Sequence, residues 1–497
     1  MPRGTGLALT RASSRVVPSA PGSDADTLKL FPRRKPPFGI VAPARPEPPE
    51  PADAAEGRPG AGSSLATAAW TIGDQIVSSG TNAAINFVAA RRAGPDDFGA
   101  FAIAYTIFAL LTGLSRAAAT APLGISYASA SPSAFRSASR AASGTALVIG
   151  LVAGAALLAA GAASPGALGR CLVAMSMAMP ALLVQDAWRY TFFARHQPVR
   201  AVVNDLVWAI VLAAGLGAPP LGGGNDLAGL ILVWSGAAAV AALFGVAQTG
   251  TWPDPSRALD WLRGNRETSG FMTAEYVTVQ GAQQTSTLLI GAVASPALVG
   301  ALRGIQTLLA PTTNLAVALN SFAVPQFARH WDMPSRRRIR LAYAVSGLVV
   351  ASSTAWAVAF LLLPGDFGRA LLGDTWPATR DLLGLAAFQQ AGPALAVGPA
   401  AVLYALGRTR LTFRINLAFA PALFVCPLLG LHLAGARGVV AGYIIAFWST
   451  IPSWLLSMHR VSAAAETAKH AQQAGSGEGG LAAGRESGVS PRPEAVR

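Results

Sequence analysis

Several ionisable side chains stand inside apolar stretches of this sequence, where charge is costly. Arg116, Arg189 and Arg303 carry planar guanidinium forks, a geometry that matches paired phosphate oxygens. Asp74 and Glu275 are carboxylates able to take up a proton or a sodium ion. At mid-bilayer an ionised side chain costs about 2.5–3.5 kcal/mol even on the lenient insertion scale, so each needs a partner, a wet cavity or a route to the surface. Gln280, Gln283 and Gln284 follow one another at i, i+3 and i+4 and share one helical face, while Gln306, Asn314 and Asn320 add polar positions further on. At about 100° per residue Glu275 stands about 80° from Gln283, off that face. Hydrogen bonding between helices explains the amide face as well as a cavity lining does. The five His are scattered and form no metal constellation, no GxxxxGK[ST] loop is present, and no catalytic group or cofactor is expected.

These residues must be positioned by membrane-spanning helices. Of 497 residues, 52% are hydrophobic and only 12% charged, about half the charge density of a soluble globular chain. The mean hydropathy is +0.43. Twelve apolar segments follow one another at 65–90, 98–120, 141–162, 168–190, 200–218, 226–248, 268–293, 297–322, 340–363, 379–405, 410–432 and 438–458. Most reach the roughly 20 residues needed to cross a core about 30 Å thick. They are continuously apolar, which excludes an alternating β-barrel. Residues 1–63 form a Pro-rich, basic tail expected to be disordered, and 459–497 a second polar tail. The longer connection 249–267, with Trp252, Leu259, Trp261 and Leu262, suggests a short interfacial helix. Cys171 and Cys426 lie far apart in apolar segments and are expected to be inert thiols.

Charge sets the orientation. With the N-terminus inside, the inner loops and helix ends hold 16 Arg and the outer ones 6, and both tails are basic. The positive-inside rule then puts both termini in the cytoplasm of a multi-pass plasma-membrane protein. The net charge of +14 is explained by this retention and by anionic membrane lipids, with no nucleic-acid partner.

An internal repeat organises the spans. Ala93-Gly94-Pro95-x-x-Phe98-Gly99-Ala100 matches Ala294-Ser295-Pro296-x-x-Val299-Gly300-Ala301 at an ungapped offset of 201, and the same offset sets Asp74 on Glu275. Six helices return the chain to its starting side, so the halves are parallel repeats about an axis along the membrane normal. The reading is an all-α protein with twelve transmembrane helices in two six-helix lobes around a central cavity. The N-lobe is 64–248, the linker 249–267 and the C-lobe 268–458.

The segment FVAARRAGPDDFGAFAIAYTIFALLTGLSRAAATAPLG resembles the opening of Wzx-type polysaccharide-biosynthesis membrane proteins. These are lipid-linked oligosaccharide flippases of the multidrug/oligosaccharidyl-lipid/polysaccharide exporter superfamily. LLIGAVASPALVGALRGIQTLLAPTTNLAVALNSFAVPQFAR is similar to that family's seventh and eighth helices, and LLGDTWPATRDLL fits the approach to its tenth. The resemblance covers roughly residues 65–458. It implies a protein, not an enzyme, that moves a polyprenyl-pyrophosphate-linked glycan from the inner to the outer leaflet through a cationic cavity. This sequence departs from that pattern in having few Arg or Lys deep within its spans and acidic residues in the first and seventh.

Each charged position keeps two readings. Arg116 and Arg189 stand where an inner-leaflet pyrophosphate would wait, or they snorkel to the interface; Arg189 also has Asp186 at i, i+3. Arg303 receives the phosphate nearer the outer face, or snorkels. Asp74 and Glu275 couple ion entry to lobe movement, or are structural carboxyls. Asn204 and Asp205 are expected at the interface. Pro180, Pro311, Pro393 and Pro421 are expected to kink their helices. A cation-coupled exporter of drugs or metabolites on the same fold is one alternative. A membrane glycosyltransferase or polymerase is another, although the longest outer loop, 364–378, is short for such chemistry. The transport unit is expected to be monomeric.

Overall fold

The structure is a computed structural model that describes residues 61–128, 130–218, 226–330 and 333–467, apart from the side chains of 61–72, 74–76, 321, 325 and 329. The N-terminal tail, most of the C-terminal tail and the side chain of Asp74 therefore lie outside the described residues. Among the described residues there is no strand.

Local sequence explains where the helices begin. Pro95, Pro132, Pro198 and Pro296 each occupy a first helical position, where the missing N–H has no intrahelical partner to lose. Ser131, Asp226 and Ser295 cap their helices by accepting from backbone N–H groups two or three residues on. Among the described residues twelve long helices result: α1 Ala61–Arg92, α2 Pro95–Ser126, α3 Pro132–Ala163, α4 Gly166–Ala194, α5 Pro198–Gly217, α6 Leu227–Thr249, α7 266–293, α8 Pro296–Arg329, α9 Ser335–Leu362, α10 Trp376–Ala405, α11 409–433 and α12 436–467. Eight helical stretches are long and apolar enough to cross a membrane by length and composition, the continuous stretch 409–467 holding both α11 and α12. α1, α7 and α10 fall short of that threshold, carrying polar residues such as Asn82 and Asn86, Gln280, Gln283 and Gln284, and Gln389 and Gln390.

The two halves share one plan. In the first, α3 and α2 pack on α4, while α4 and α1 pack on the hairpin α5–α6. In the second, α9 and α8 pack on α10, while α10 and α7 pack on the hairpin α11–α12. Between the halves α2 meets α8, and the flanking contacts, α1 with α8 and α7 with α2, are repeat mates. The glycines of the sequence repeat lie at this junction. A side chain on Gly99 would overlap the Pro296 carbonyl, and one on Gly300 would press on Phe98 and Gly99 at 3.1–3.3 Å. Small residues here let the two backbones touch, as close crossings in lipid require.

Several details differ from the sequence reading. The stretch 364–378 is not an irregular loop: Gly365–Leu372 is helical, and Leu372 and Trp376 are buried in the apolar core around α1 and α2. The linker does hold a short helix, Ala258–Gly264, but Trp261 is buried on Leu123 and Phe135 and donates to the Ala119 carbonyl at 3.0 Å, so the helix docks on α2 and α3. Trp252 and Leu259 are exposed as an interfacial position requires. α12 runs on to residue 467, its His459 bonded to Tyr343 and Glu466 to Ser335. Pro180 and Pro393 sit within continuous helices, whereas Pro421 marks an interruption of α11. Two π-helical turns, Arg116–Thr120 and Val277–Gly281, and the left-handed Gly435 that separates α11 from α12 carry no signal in the apolar pattern.

Candidate functional site

A cavity of about 370 Å³ opens where α1, α2, α4 and α8 face one another. α1 contributes Ser78, Ser79, Asn82 and Asn86, a stripe at helical spacing. α8 contributes Arg303, Gln306, Thr307 and Asn314, α2 contributes Arg116, and α4 contributes Arg189, Tyr190 and Phe193. Arg116, Arg189, Arg303 and Gln306 are thus brought to one hollow, although the sequence shows few basic residues deep in its spans.

The three guanidinium groups sit in different electrostatic settings. Arg116 grips Asp186 of α4 with a bidentate fork, Nε to Oδ2 at 2.8 Å and Nη2 to Oδ1 at 2.6 Å, and also lies over the Tyr190 ring. Its side chain keeps 38% of its surface exposed to the cavity. Arg189 is buried; its Nε stands 3.1 Å from Asp205 Oδ2 on α5, and its Nη1 is 4.0 Å from Asp186 Oδ1. Arg303 has only neutral neighbours. It donates to Asn86 Oδ1 at 2.8 Å and Gln306 Oε1 at 3.2 Å, and its Cζ lies 3.8 Å from the centroid of Tyr105. That ring is fixed against Phe101, Phe108 and Trp234 and its hydroxyl donates to Asn82. Among the described residues Arg303 makes no ion pair. Two carboxylates therefore serve three guanidinium groups, one cation in excess among the described residues.

Depth separates the cations. Arg303 lies seven residues into α8, and Arg116 lies 21 residues into α2, which starts beside it at the Gly99–Gly300 crossing. The repeat offset equates Arg303 with position 102, so the two are 14 residues apart along parallel helices, about 20 Å of rise. Arg116 and Arg189 lie towards the basic end of the bundle and Arg303 towards the other.

Asn204 and Asp205 are not interfacial. Both are buried, with Gln185 bonded to each at 3.2 and 2.8 Å and Asn204 reaching Gln248 at 3.0 Å. An amide and a carboxylate at adjacent positions of an amphipathic helix start look like a solvated end; their partners lie 16 to 44 residues away and are invisible locally. Glu275 is on α7, away from the cavity lining, and accepts from the Tyr404 hydroxyl at 3.2 Å. Gln280 is exposed, Gln283 is half-buried, and neither lines the cavity. The π-turn Val277–Gly281 lies between Glu275 and Gln283, so the 100° per residue arithmetic does not hold across it. Asn82, Asn86 and Tyr105 were missed as site residues. Their signal was present: the offset of 201 sets Ser79 on Gln280, Asn82 on Gln283 and Asn86 on Thr287, a polar stripe written twice.

The bonds across the halves are few and polar. Arg303 meets Asn86 and Asn314 meets Ser79 at 2.7 Å. The π-turn of α2 offers carbonyls that Ser269 takes at Ala118, 2.8 Å, and Trp261 takes at Ala119. Tyr276 donates to the Ala109 and Leu110 carbonyls, its ring filling the space above Gly113. Among the described residues no cluster of three His, Cys, Asp or Glu could hold a metal ion.

Solved structures share this arrangement. An inward-facing multidrug resistance MATE family transporter of the MOP superfamily superimposes with a TM-score of 0.59 at 12% identity, over 79% of this chain and 96% of that one. The lipid II flippase MurJ in an inward closed conformation gives 0.59 at 11% identity, over 81% and 90%. The chain has the fold of these transporters. The eukaryotic MATE transporter AtDTX14 is similar too, with a TM-score of 0.53 at 12% identity over 81% of this chain and 98% of that one. No protein-family model matches the chain, and no curated protein sequence does. At such identities the likeness concerns the fold, a two-lobed multi-pass membrane protein, and the cavity residues must speak for themselves.

Proposed function

We propose that the protein flips a polyprenyl-(pyro)phosphate-linked oligosaccharide across the plasma membrane by alternating access, for cell-surface polysaccharide biosynthesis. The observation that carries this reading is the cationic cavity between the halves, with Arg303 held by neutral groups alone. A phosphate entering there gains charge-assisted bonds and breaks no existing ion pair. Arg116 and Arg189, on the side of the basic end, form a first station and Arg303 a second. The basic end is taken as cytoplasmic from the Arg bias of its loops, with both termini on that side. The lobes 64–248 and 268–458 are the moving bodies and 249–267 the tether. No bond in the substrate is made or broken, so the protein is not an enzyme.

Two observations weigh against the drug or metabolite exporter. Asp186 and Asp205 are already held by guanidinium groups, so a proton or sodium ion would have to displace an internal cation. Glu275 lies off the cavity lining. Ion coupling is assigned to the repeat-related Asp74 and Glu275, of which Glu275 stands off the cavity lining. Reconstitution into vesicles tests the reading: a fluorescent glycan on polyprenyl pyrophosphate should cross only where protein is present, and a zwitterionic phospholipid reporter should not. Equal passage of both lipids would reduce the protein to a non-selective scramblase, and passage of neither would remove the proposal.

A further inference from the structure

The first six helices hold a second polar hollow at the basic end, apart from the cavity between the halves. Its volume is about 240 Å³. Arg136 of α3, Arg195 of the α4–α5 turn and Arg200 of α5 line it, and no Asp or Glu does. Arg195 is held over the Phe135 ring, 4.2 Å from its centroid, and Arg200 donates to the Gln248 carbonyl at 3.3 Å. Among the described residues none of the three makes an ion pair. Three like charges around one hollow repel, an arrangement that an anion relieves.

A second observation points to a ligand. Ser139 also lines the hollow, is only 3% exposed, and its Oγ has no hydrogen-bond partner among the described residues. Buried hydroxyls are rarely left so, because water has been stripped from them without replacement. An oxyanion would satisfy this donor together with the guanidinium forks. Deeper along the same helices lies an apolar groove of about 330 Å³ between α4 and α6, lined by Val184, Leu243, Val246 and Trp252. Val184 is seven residues from Thr191 of the hollow, about 10 Å of helical rise, within reach of one acyl chain. Trp252 is 65% exposed at the lip, a place that suits an interfacial indole.

We propose that this pocket binds the phosphate of an anionic membrane lipid, with an acyl chain along the groove. The site is separate from the transported substrate and does not depend on its identity. Native mass spectrometry of the detergent-purified full chain, titrated with phosphatidic acid or phosphatidylcholine, tests it. One phosphatidic acid is expected to bind at least about ten-fold more tightly than phosphatidylcholine, and Arg136→Gln with Arg195→Gln should abolish that preference. Ser139→Asp, which sets a carboxylate in the hollow, should do the same. Melting in detergent reports whether each variant folds, and Ser139→Ala, with a two- to three-fold loss, serves if the acidic variant does not. Millimolar inorganic phosphate should leave the lipid adduct in place. A preference retained in the double-Arg variant would overturn the proposal, and displacement of the lipid by inorganic phosphate would overturn it by assigning the pocket to a soluble anion.

Discussion

Asp205 shows how much a single buried charge constrains this protein. It is 1% exposed and stands against Arg189, itself buried, so removing its carboxylate takes the nearer of two carboxylates from a buried guanidinium, Asp186 standing at 4.0 Å. Breaking one partner of such a pair costs about 3–5 kcal/mol. Asp205→Ala should therefore lower the melting temperature in detergent by several degrees, whereas Asp254→Ala, whose longer 3.6 Å pair is with a half-exposed Arg140, should shift it by less, within about 0–1 kcal/mol. Equal shifts for the two would mean that the α4–α5 network is not buried as described. The sequence made Arg116, Arg189 and Arg303 legible because charge in an apolar run has few explanations. It concealed their partners. Only Asp186, three residues from Arg189, was near enough to be seen, and its stronger bond is to Arg116, 70 residues away.

At the scale of elements, the crossing of α2 and α8 fixes how closely the halves approach. Gly99→Val would drive a branched side chain into the Pro296 backbone, and overpacking of this kind costs about 1–3 kcal/mol. Gly347→Ala, in α9 with nothing within 4 Å, should be neutral or slightly stabilising because alanine favours helix. Thermal unfolding of the two variants separates these outcomes, and a harmless Gly99→Val would show that the halves do not touch there. Helix count was readable from apolar length, but not every start was: α3 begins at Pro132, nine residues before its apolar run at 141, on a polar first turn. The π-turns were not, because they preserve composition and only add a residue to a turn. That extra residue moves Gln280 and Gln283 relative to Glu275 and exposes the α2 carbonyls that Ser269 and Trp261 occupy.

The two halves are copies of one plan joined by the close α2–α8 crossing, by apolar contacts of Leu308, Leu372 and Trp376, and by polar bonds such as Ser269 to Ala118. If the lobes rock, Ser269 and Ala118 must part at the basic end. With Cys171 and Cys426 replaced by alanine, Ser269→Cys with Ala118→Cys should form a disulfide on oxidation that stops transport, and reduction should restore it. Transport undiminished by the formed crosslink would show that this contact does not move. The repeat was legible from eight residues at each end of an offset of 201, since a close helix crossing demands the same small residues in both halves. The cargo was not, because no local motif specifies a glycan. What remains decisive is whether Arg303 handles phosphate. Flipping of a polyprenyl-pyrophosphate-linked glycan by Arg303→Gln in vesicles should fall at least about ten-fold, the loss of one charge-assisted contact, with partial recovery in Arg303→Lys; flipping at the unsubstituted rate in Arg303→Gln would contradict the account.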